Sequence, residues 1–229
     1  MEFALHPDFK LTKLTIGREQ APLVVVDNFV ADPEALVNLA AGKLFAEVVN
    51  FYPGIRSKAP LTYQRFMLEK VKPLFASHFG LGGAVLRFTE CYFSIVTTPP
   101  EKLDVAQCIP HIDSAFSSEL AFIHYLFKSD LGGTSFYRHR ATGYEYVDEA
   151  RKDGYWRIVD GEQSGPNRAD AAYINGDTAL YEQVGQQKGI FNRMLIYRRN
   201  SLHSGALAPN FIPDPSPRTG RLSINGFLA

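Results

Sequence analysis

The sequence predicts a mainly β protein with flanking helices. Aromatic residues make up 13% of its 229 residues, and the 17 Phe and 11 Tyr favour sheets and ligand pockets over long helices. Helix signals are concentrated in the first 80 residues, whereas β-branched and aromatic runs follow from residue 84 onward. Helices first and short strands afterwards indicate helices that buttress a sheet core.

The composition argues against several classes of protein. The net charge of +0, from 24 basic and 24 acidic residues, carries no electrostatic signature of nucleic-acid or anionic-membrane binding. No apolar run is long enough to cross a bilayer, and the first residues lack the regions of a signal peptide. Cys91 and Cys108 form no metal-type pair and are predicted to be reduced thiols that pack rather than react. We therefore expect a cytoplasmic protein with neither nucleic acid nor membrane as a partner.

Residues 1–80 are predicted to form a helical support region. Two short strands, at 14–16 and 23–26, precede a first helix with Asp32 as its N-cap and Pro33 at its first position. The apolar face of this helix is predicted from residues at helical spacing: Leu36, Leu39, Ala40, Leu44 and Val48.

A second helix is predicted over 62–79, after a turn-rich loop at 50–60. Pro73 is expected to kink this helix, because proline lacks the N–H that the helical ladder requires. The inner stripe of the helix is predicted to comprise Met67, Val71, Leu74, Phe75 and Phe79.

Residues 84–228 are predicted to form the sheet core. The strands of this core are predicted at 84–97, 119–127, 134–137, 194–197 and 221–227. Residues 138–190 are interpreted as an insertion with one short helix near 177–184, and a Pro-rich loop occupies 209–217. With the preceding helices, this pattern favours a double-stranded β-helix, a cupin-like jelly roll, in a single domain over 1–229.

The stretch Ile109-Pro110-His111-Ile112-Asp113 carries the most informative chemistry. On a strand, His111 and Asp113 would point to the same face and could reach one point in space. His203 lies far downstream, directly after an apolar strand-like run. Two histidines and one carboxylate, with the remaining positions open, make the facial triad of non-haem Fe(II) oxygenases. The three residues are therefore candidate metal ligands.

A His-x-Asp pair alone is a weak signal. Chance gives roughly 0.3 occurrences in a chain of this composition, and His6-Pro7-Asp8 also fits the pattern. That copy lies near the N-terminus with a proline between its members, so we assign it to surface structure. Taken alone, His111 is equally well interpreted as a hydrogen-bonded strand histidine, and His203 as a buried structural one.

Arg221 and Ser223 form a second candidate pair. On a strand they would place a guanidinium and a hydroxyl on one face, which suits a carboxylate ligand. The competing interpretation is a surface arginine on a terminal strand. Arg218 lies close by and could substitute for Arg221, although Pro217 and Gly220 place Arg218 in a loop.

Taken in order, these motifs resemble those of the Fe(II)/2-oxoglutarate-dependent dioxygenases, most closely their prolyl-hydroxylase-like branch. The resemblance covers roughly residues 84–228 and departs from the family in the long loop at 98–107 and the large gap between Gly133 and His203. The motifs that carry it are His111-x-Asp113, Tyr125-Leu126, Gly132-Gly133-Thr134-Ser135-Phe136, His203 and Arg221-x-Ser223.

The resemblance implies a role for each site residue. His111, Asp113 and His203 would be the catalytic centre and bind Fe(II), with 2-oxoglutarate as cosubstrate. Arg221, assisted by Ser223, would hold the distal carboxylate of 2-oxoglutarate, and Tyr92 would be a second contact to the cosubstrate. The implied activity is hydroxylation of a small molecule or a protein residue, with 2-oxoglutarate decarboxylated to succinate. The carboxylate ligand favours hydroxylation over halogenation, because related halogenases lack that ligand.

Other chemistry-bearing side chains are interpreted as structural. His124 lies in an apolar strand and is predicted to be a core histidine with a hydrogen-bonded ring. The run Arg138-His139-Arg140 could face the mouth of the site or form a solvated face. Tyr155-Trp156 could contribute to a lid, although buried packing is the simpler interpretation.

Two other kinds of protein remain open on sequence alone. One is a non-catalytic jelly-roll binding module, and the other is a cupin-like metalloenzyme that uses no 2-oxoglutarate. Convergence of the three candidate ligands within metal-bonding distance would argue against the first. An Arg221 side chain that points away from the metal pocket would support the second. The sequence leaves the substrate and the oligomeric state undetermined.

Overall fold

The computed structural model describes residues 2–47, 52–207 and 211–229. The helices are α1 (Pro33–Ala41), α2 (Leu61–Phe66), α3 (Lys72–Phe75) and α4 (Lys152–Gln163). The strands are β1 (Lys10–Ile16), β2 (Ala21–Asp27), β3 (Ala46–Glu47), β4 (Gly54–Lys58), β5 (Phe88–Val96), β6 (Leu120–Tyr125), β7 (Gly133–His139), β8 (Tyr181–Lys188), β9 (Met194–Arg198), β10 (His203–Ala206) and β11 (Leu222–Leu228). No helix of the described residues is long and apolar enough to cross a membrane.

The strands form two sheets in which neighbours pair antiparallel. The major sheet has the order β1-β2-β9-β6-β11-β5-β4-β3, and the minor sheet has the order β10-β7-β8. A short bridge between His111 and His203 adds the His111 segment to the β10 edge of the minor sheet. The predicted mainly β architecture is therefore confirmed.

Side-chain alternation gives each face of the major sheet its own core. On β6, Phe122 packs in an outer cluster with the helices of residues 33–79, whereas Ile123 packs in an inner cluster. Phe136 of β7 belongs to the same inner cluster, so the two sheets pack face to face. The space between the sheets is the interior in which any site on the strands must lie.

Residues 1–80 contribute more than helical support. Strands β1 to β4 extend the major sheet at both ends, which corrects the interpretation of this region as helical support. Helix α1 begins as predicted, because the Asp32 side chain accepts a hydrogen bond from the Ala35 N–H at 3.0 Å. It ends at Ala41, which leaves Leu44 95% exposed and outside the predicted apolar face. Val48, the last residue predicted for that face, lies outside the described residues.

The predicted second helix is divided into short segments. A π-helical turn over Met67–Val71 joins α2 to α3, and a 3-10 turn ends the run at Phe79. Pro73 lies in the first turn of α3, where its missing N–H costs least. The predicted inner stripe is buried except for Leu74, which is 41% exposed. Residues 50 and 51 of the preceding loop lie outside the described residues, and β4 occupies much of the rest.

The predicted insertion 138–190 contains structure that the sequence pattern concealed. Helix α4 lies well before the predicted helix near 177–184, and Tyr181–Lys188 instead forms β8. Tyr155 and Val159 of α4 bury themselves against the outer face of the minor sheet. Since β7 and β8 pair directly, the true excursion from the sheet is shorter than predicted.

Two further strands begin later than predicted. The strand predicted from residue 84 begins at Phe88, and the strand predicted from Arg221 begins at Leu222. Residues 208–210, where the Pro-rich loop begins, lie outside the described residues.

Candidate metal centre

His111, Asp113 and His203 offer ligand atoms that all lie within 4.8 Å of one another. Asp113 stands between the two imidazoles: its Oδ1 is 3.8 Å from His111 Nε2, and its Oδ2 is 3.6 Å from His203 Nε2. The structure therefore brings the three sequence-predicted residues together. Two imidazole nitrogens and one carboxylate with an open side form a donor set that suits Fe(II).

Hydrogen bonds to backbone atoms hold the His111–Asp113 segment in place. The His111 N–H donates to the His203 carbonyl at 2.9 Å, and the His203 N–H donates back at 3.0 Å. The Asp113 N–H donates to the Arg199 carbonyl at 2.8 Å, and the Arg199 guanidinium donates to the Asp113 carbonyl at 3.0 Å. His111 and Asp113 thus lie on a single bridge and an irregular segment, which corrects the predicted regular strand.

The His203 ring is oriented with one nitrogen toward the site. Its Nδ1–H donates to the Ser201 carbonyl at 3.0 Å, and its Nε2 faces the Asp113 carboxylate at 3.6 Å. The ring also packs edge-on against Tyr197, with centroids 4.7 Å apart. A hydrogen bond from the outer nitrogen of a ligand histidine is the arrangement that orients a metal ligand.

The protonation state of His111 also suits a ligand. Although one side of the His111 ring faces solvent, the protein packed around the rest of it causes desolvation. This desolvation, followed by the neighbouring His203 imidazole, lowers the pKa of His111, against the opposing effect of Asp113. The ring is therefore neutral at pH 7, as a metal ligand must be. The His111 side chain is 44% exposed, against 7% for His203, so the centre opens toward solvent on the His111 side.

Arg221 lies inside the protein rather than on its surface. It is 3% exposed, and its Nε and Nη2 donate to the carbonyls of Leu131 and Gly133 at 3.0 and 2.7 Å. Its guanidinium carbon is 5.9 Å from the ring centroid of Tyr125. Within the described residues no carboxylate lies within ion-pair distance of Arg221, so its charge is available to a ligand.

A chain of contacts relates Arg221 to the metal centre. The Tyr125 hydroxyl lies 2.7 Å from Thr134 Oγ1 of β7, and Phe136, two residues along β7, pairs with His203. Alternate residues on a strand share a face and lie about 7 Å apart. Arg221 and His203 therefore reach the same interior from neighbouring levels of the sheets.

Arg218 is excluded as the alternative to Arg221. It is an exposed residue whose Nη1 donates to Asn38 Oδ1 at 2.8 Å.

Ser223 and Tyr92 share the inner face with Arg221. The buried Ser223 hydroxyl donates to Asn225 Oδ1 at 2.6 Å, so its proton already has an acceptor. Tyr92 is half-buried, and its strand neighbours Cys91 and Phe93 point to the outer core instead. Both residues are placed where the sequence predicted, and their roles toward a cosubstrate remain predictions.

Arg56 is an interior residue that the sequence analysis missed. It lies on β4, and its guanidinium carbon is 4.1 Å from the ring centroid of Tyr52 and 5.6 Å from that of Tyr92. The segment around it was interpreted as a loop because Pro53-Gly54 precedes a short polar run. Gly54 was the available signal, since a Cβ there would overlap the Ile95 carbonyl, as expected where two strands approach closely.

The remaining polar candidates have structural partners. Arg138 pairs with Glu145 and Glu182 and is buried, so it forms neither the site mouth nor a solvated face. His139 is buried with its Nε2 2.7 Å from Glu162, and Arg140 is an exposed partner of Asp177.

Most of the other side chains agree with their structural interpretation. His124 is fully buried, with its ring nitrogens 3.1 Å from Tyr63 Oη and 3.1 Å from Asn192 Oδ1. Tyr155 is buried as predicted, whereas Trp156 is 37% exposed, so the prediction of buried packing is wrong for Trp156. Both cysteines are free and buried, as predicted.

The chain belongs to a protein family described as "Family of unknown function (DUF6445)", whose profile matches residues 7–228. No curated protein matches the sequence.

Solved structures with a similar fold include enzymes that use 2-oxoglutarate. HygX from Streptomyces hygroscopicus, with nickel and 2-oxoglutarate bound, is 16% identical with a TM-score of 0.50, over 93% of this chain and 87% of HygX. The non-heme alpha ketoglutarate dependent carbocyclase SnoK from nogalamycin biosynthesis is 10% identical with a TM-score of 0.49, over 92% and 80% of the two chains. The corresponding epimerase SnoN is 14% identical with a TM-score of 0.46, over 87% and 71%. At these identities the HygX match establishes similarity of fold.

Proposed function

We propose that this protein is a non-haem Fe(II)/2-oxoglutarate-dependent oxygenase that hydroxylates its substrate while 2-oxoglutarate is decarboxylated to succinate. The observation that carries the proposal is the convergence of His111, Asp113 and His203 in the interior of the protein. The same interior holds Arg221, which has no carboxylate within ion-pair distance among the described residues. The fold shared with HygX, whose structure contains nickel and 2-oxoglutarate, supports the same assignment. On this proposal the two facing sheets are the double-stranded β-helix that the sequence predicts.

Each residue has a distinct task in the proposed reaction. His111, Asp113 and His203 would hold Fe(II), which when bound supplies the oxidising chemistry with O₂. Arg221 binds the distal carboxylate of 2-oxoglutarate through the donors that Leu131 and Gly133 leave free. Ser223 lies beside it and donates to the same carboxylate when its hydroxyl turns away from Asn225. The apolar residues between the sheets exclude water from the reacting atoms.

The proposal also fixes the kind of chemistry. Asp113 supplies a carboxylate at the third ligand position, which favours hydroxylation over halogenation. The same proposal places the protein in the prolyl-hydroxylase-like branch and treats residues 1–229 as one domain. It also includes a cytoplasmic location and neither nucleic acid nor membrane as a partner.

An anaerobic titration with Fe(II) followed by 2-oxoglutarate tests the proposal. A visible charge-transfer band is expected from the chelated cosubstrate. It should disappear in His203→Ala and weaken in Arg221→Ala. His78→Ala and Arg218→Ala are the matched controls, since each removes the same kind of side chain from outside the candidate metal centre. Arg218 is exposed and His78 is half-buried, and both variants should keep the band.

Each other outcome points to a different protein. Iron binding without a band would favour a cupin-like metalloenzyme that uses no 2-oxoglutarate. A protein that binds no iron would be a jelly-roll binding module, and the proposal would be wrong.

A further inference from the structure

Arg56 has a buried positive charge whose only nearby counter-ion among the described residues is distant and partly exposed. Its side chain is 8% exposed, and its Nε has no hydrogen-bond partner among the described residues. The nearest carboxylate is that of Glu90, 3.9 Å from Nη1, and the Glu90 side chain is 42% exposed to solvent. Because an unpaired buried charge is costly, such a residue is expected at a place where an anion binds.

Strand register places Arg56 in the interior that holds the metal centre. Arg56 is opposite Ser94 on β5, and Ser94 is opposite Ser223 on β11. The neighbouring Ile55 packs in the outer cluster, so Arg56 points inward by alternation. Arg56 and Ser223 therefore project from one row of the major sheet into the space between the sheets.

Aromatic contacts fix the plane of the Arg56 guanidinium. Its carbon lies over the Tyr52 ring at 4.1 Å and near the Tyr92 ring at 5.6 Å. Stacking on rings uses the faces of a guanidinium and leaves its N–H edge for a planar anion. A carboxylate is the anion that best matches this edge, because it can accept two parallel hydrogen bonds.

The Arg56 head group reaches toward the metal end of the interior. Its closest carboxylate, Glu90, is opposite Phe227 in the sheet register. Arg199, which hydrogen-bonds the Asp113 segment, lies 4.0 Å from the Phe227 ring centroid. Arg221, by contrast, precedes β11 at the other end of the same strand. Burial raises the pKa of Tyr52, and Arg221 and Arg56 both oppose this, so both arginines lie near that ring. Arg56 differs from Arg221 in that it extends toward Glu90.

The charges of the proposed complex leave Arg56 with no counter-charge other than the half-exposed Glu90. Fe(II) and Asp113 together carry one positive charge, and Arg221 carries a second. The two carboxylates of 2-oxoglutarate balance these charges. A further anion is needed to match Arg56, and the cosubstrate cannot supply it.

We propose that Arg56 binds a carboxylate of the primary substrate, which makes the substrate a molecule that carries a carboxylate. This inference rests on the proposed function, and it names the chemical group by which the substrate is recognised. Tyr52 and Tyr92 act as positioning residues that hold the Arg56 guanidinium in the plane the carboxylate requires.

Trifluoroacetate is a suitable probe, because it is a small carboxylate that fluorine NMR detects. The protein is loaded with Mn(II) and saturating 2-oxoglutarate, and the paramagnetic relaxation of the trifluoroacetate fluorines is measured. Enhanced relaxation is expected for trifluoroacetate and not for neutral trifluoroacetamide. Arg56→Gln should reduce the enhancement to the trifluoroacetamide level, and Arg56→Lys should retain part of it. Lys58→Gln is the matched control, since it removes an exposed cation from the same face of β4 and should behave as wild type.

The outcomes separate this inference from the proposed function. Equal enhancement in wild type and Arg56→Gln, or none in wild type, overturns the inference while Mn(II) and 2-oxoglutarate binding still support the oxygenase. Loss of 2-oxoglutarate binding in Arg56→Gln would make Arg56 a cosubstrate anchor and also overturn it. Failure of wild type to bind Mn(II) would instead refute the proposed function. Circular dichroism of each variant establishes that the fold is retained.

Discussion

Metal affinity at the candidate centre is expected to depend most on Asp113, because its carboxylate lies between the two imidazoles. Asp113→Asn keeps the shape of the side chain and removes its charge. We expect its Mn(II) affinity to fall by more than the roughly 10–100-fold that loss of an outer-shell partner costs. Calorimetric titration measures the change.

The other His-x-Asp copy provides the control for this prediction. Asp8→Asn alters the same motif at the His6 copy, where the Asp8 side chain is exposed, and should leave Mn(II) affinity unchanged. An equal loss in both variants would contradict the assignment of the ligands.

His124 is predicted to make stability depend on pH. Its burial lowers its pKa to about 3, despite the opposing hydrogen bond to Asn192, while an unfolded histidine titrates near 6.5. Below pH 6.5 the unfolded state therefore binds a proton that the native state does not, and stability falls as the pH decreases toward 3. The expected contribution is a loss of about 2 kcal/mol between pH 6.5 and 5.

Urea denaturation at the two pH values measures this loss. His124→Gln should show a smaller pH dependence than wild type even if it is less stable at both values. His78→Gln, a change at a half-buried histidine, should match the wild-type slope. An unchanged slope in His124→Gln would show that other groups cause the pH dependence.

Among the secondary-structure elements, helix α4 can be stabilised by substitution. Gly154 and Gly161 lie within the helix, and a Cβ at either position would meet no atom within 4 Å. Each glycine-to-alanine change should stabilise the protein by about 0.5–1 kcal/mol, because alanine loses less backbone entropy in a helix. Thermal unfolding measures the gain.

Gly132→Ala is the contrasting change for that experiment. Gly132 has φ +88°, and a Cβ there would overlap the Ala206 carbonyl. This variant should therefore be less stable than wild type. A loss of stability in Gly154→Ala or Gly161→Ala would indicate a contact on that face of α4.

The same elements show why the sequence predicted some features and not others. β6 was predicted well because an apolar run buried on both faces has few alternatives. Helix α4 was missed because its two glycines and many charges hide the pair Tyr155 and Val159, whose burial depends on the minor sheet. Tertiary packing, rather than local propensity, decides such a helix.

In the candidate site, too, the features that depend on tertiary contacts escaped the sequence analysis. The three ligand candidates and Arg221 were predicted because histidine, aspartate and arginine are uncommon in or beside apolar strands and carry specific chemistry. Arg56 was not, because its importance comes from β4 pairing with β5, a contact between distant parts of the chain. The irregular His111 segment was also hidden, since one bridge is determined by its partner His203.

For the whole molecule, metal binding should stabilise the fold as well as complete the site. Mn(II) at about 100 times its Kd would stabilise the native state by about 2.7 kcal/mol. For a chain of this size the melting temperature should rise by about 5–10 °C. Scanning calorimetry of wild type and Asp113→Asn checks this, and an equal rise in both would place the ion elsewhere.

The central position of β11 has a consequence for how the protein is made. This strand lies between β6 and β5, and β9 lies between β2 and β6, so early and late parts of the chain alternate within the major sheet. Such long-range pairing slows folding. A nascent chain still lacking residues 222–228 leaves the facing edges of β6 and β5 unpaired, and these edges attract other strands until β11 has been made. Production of this protein at a lower rate of translation should therefore yield a larger soluble fraction.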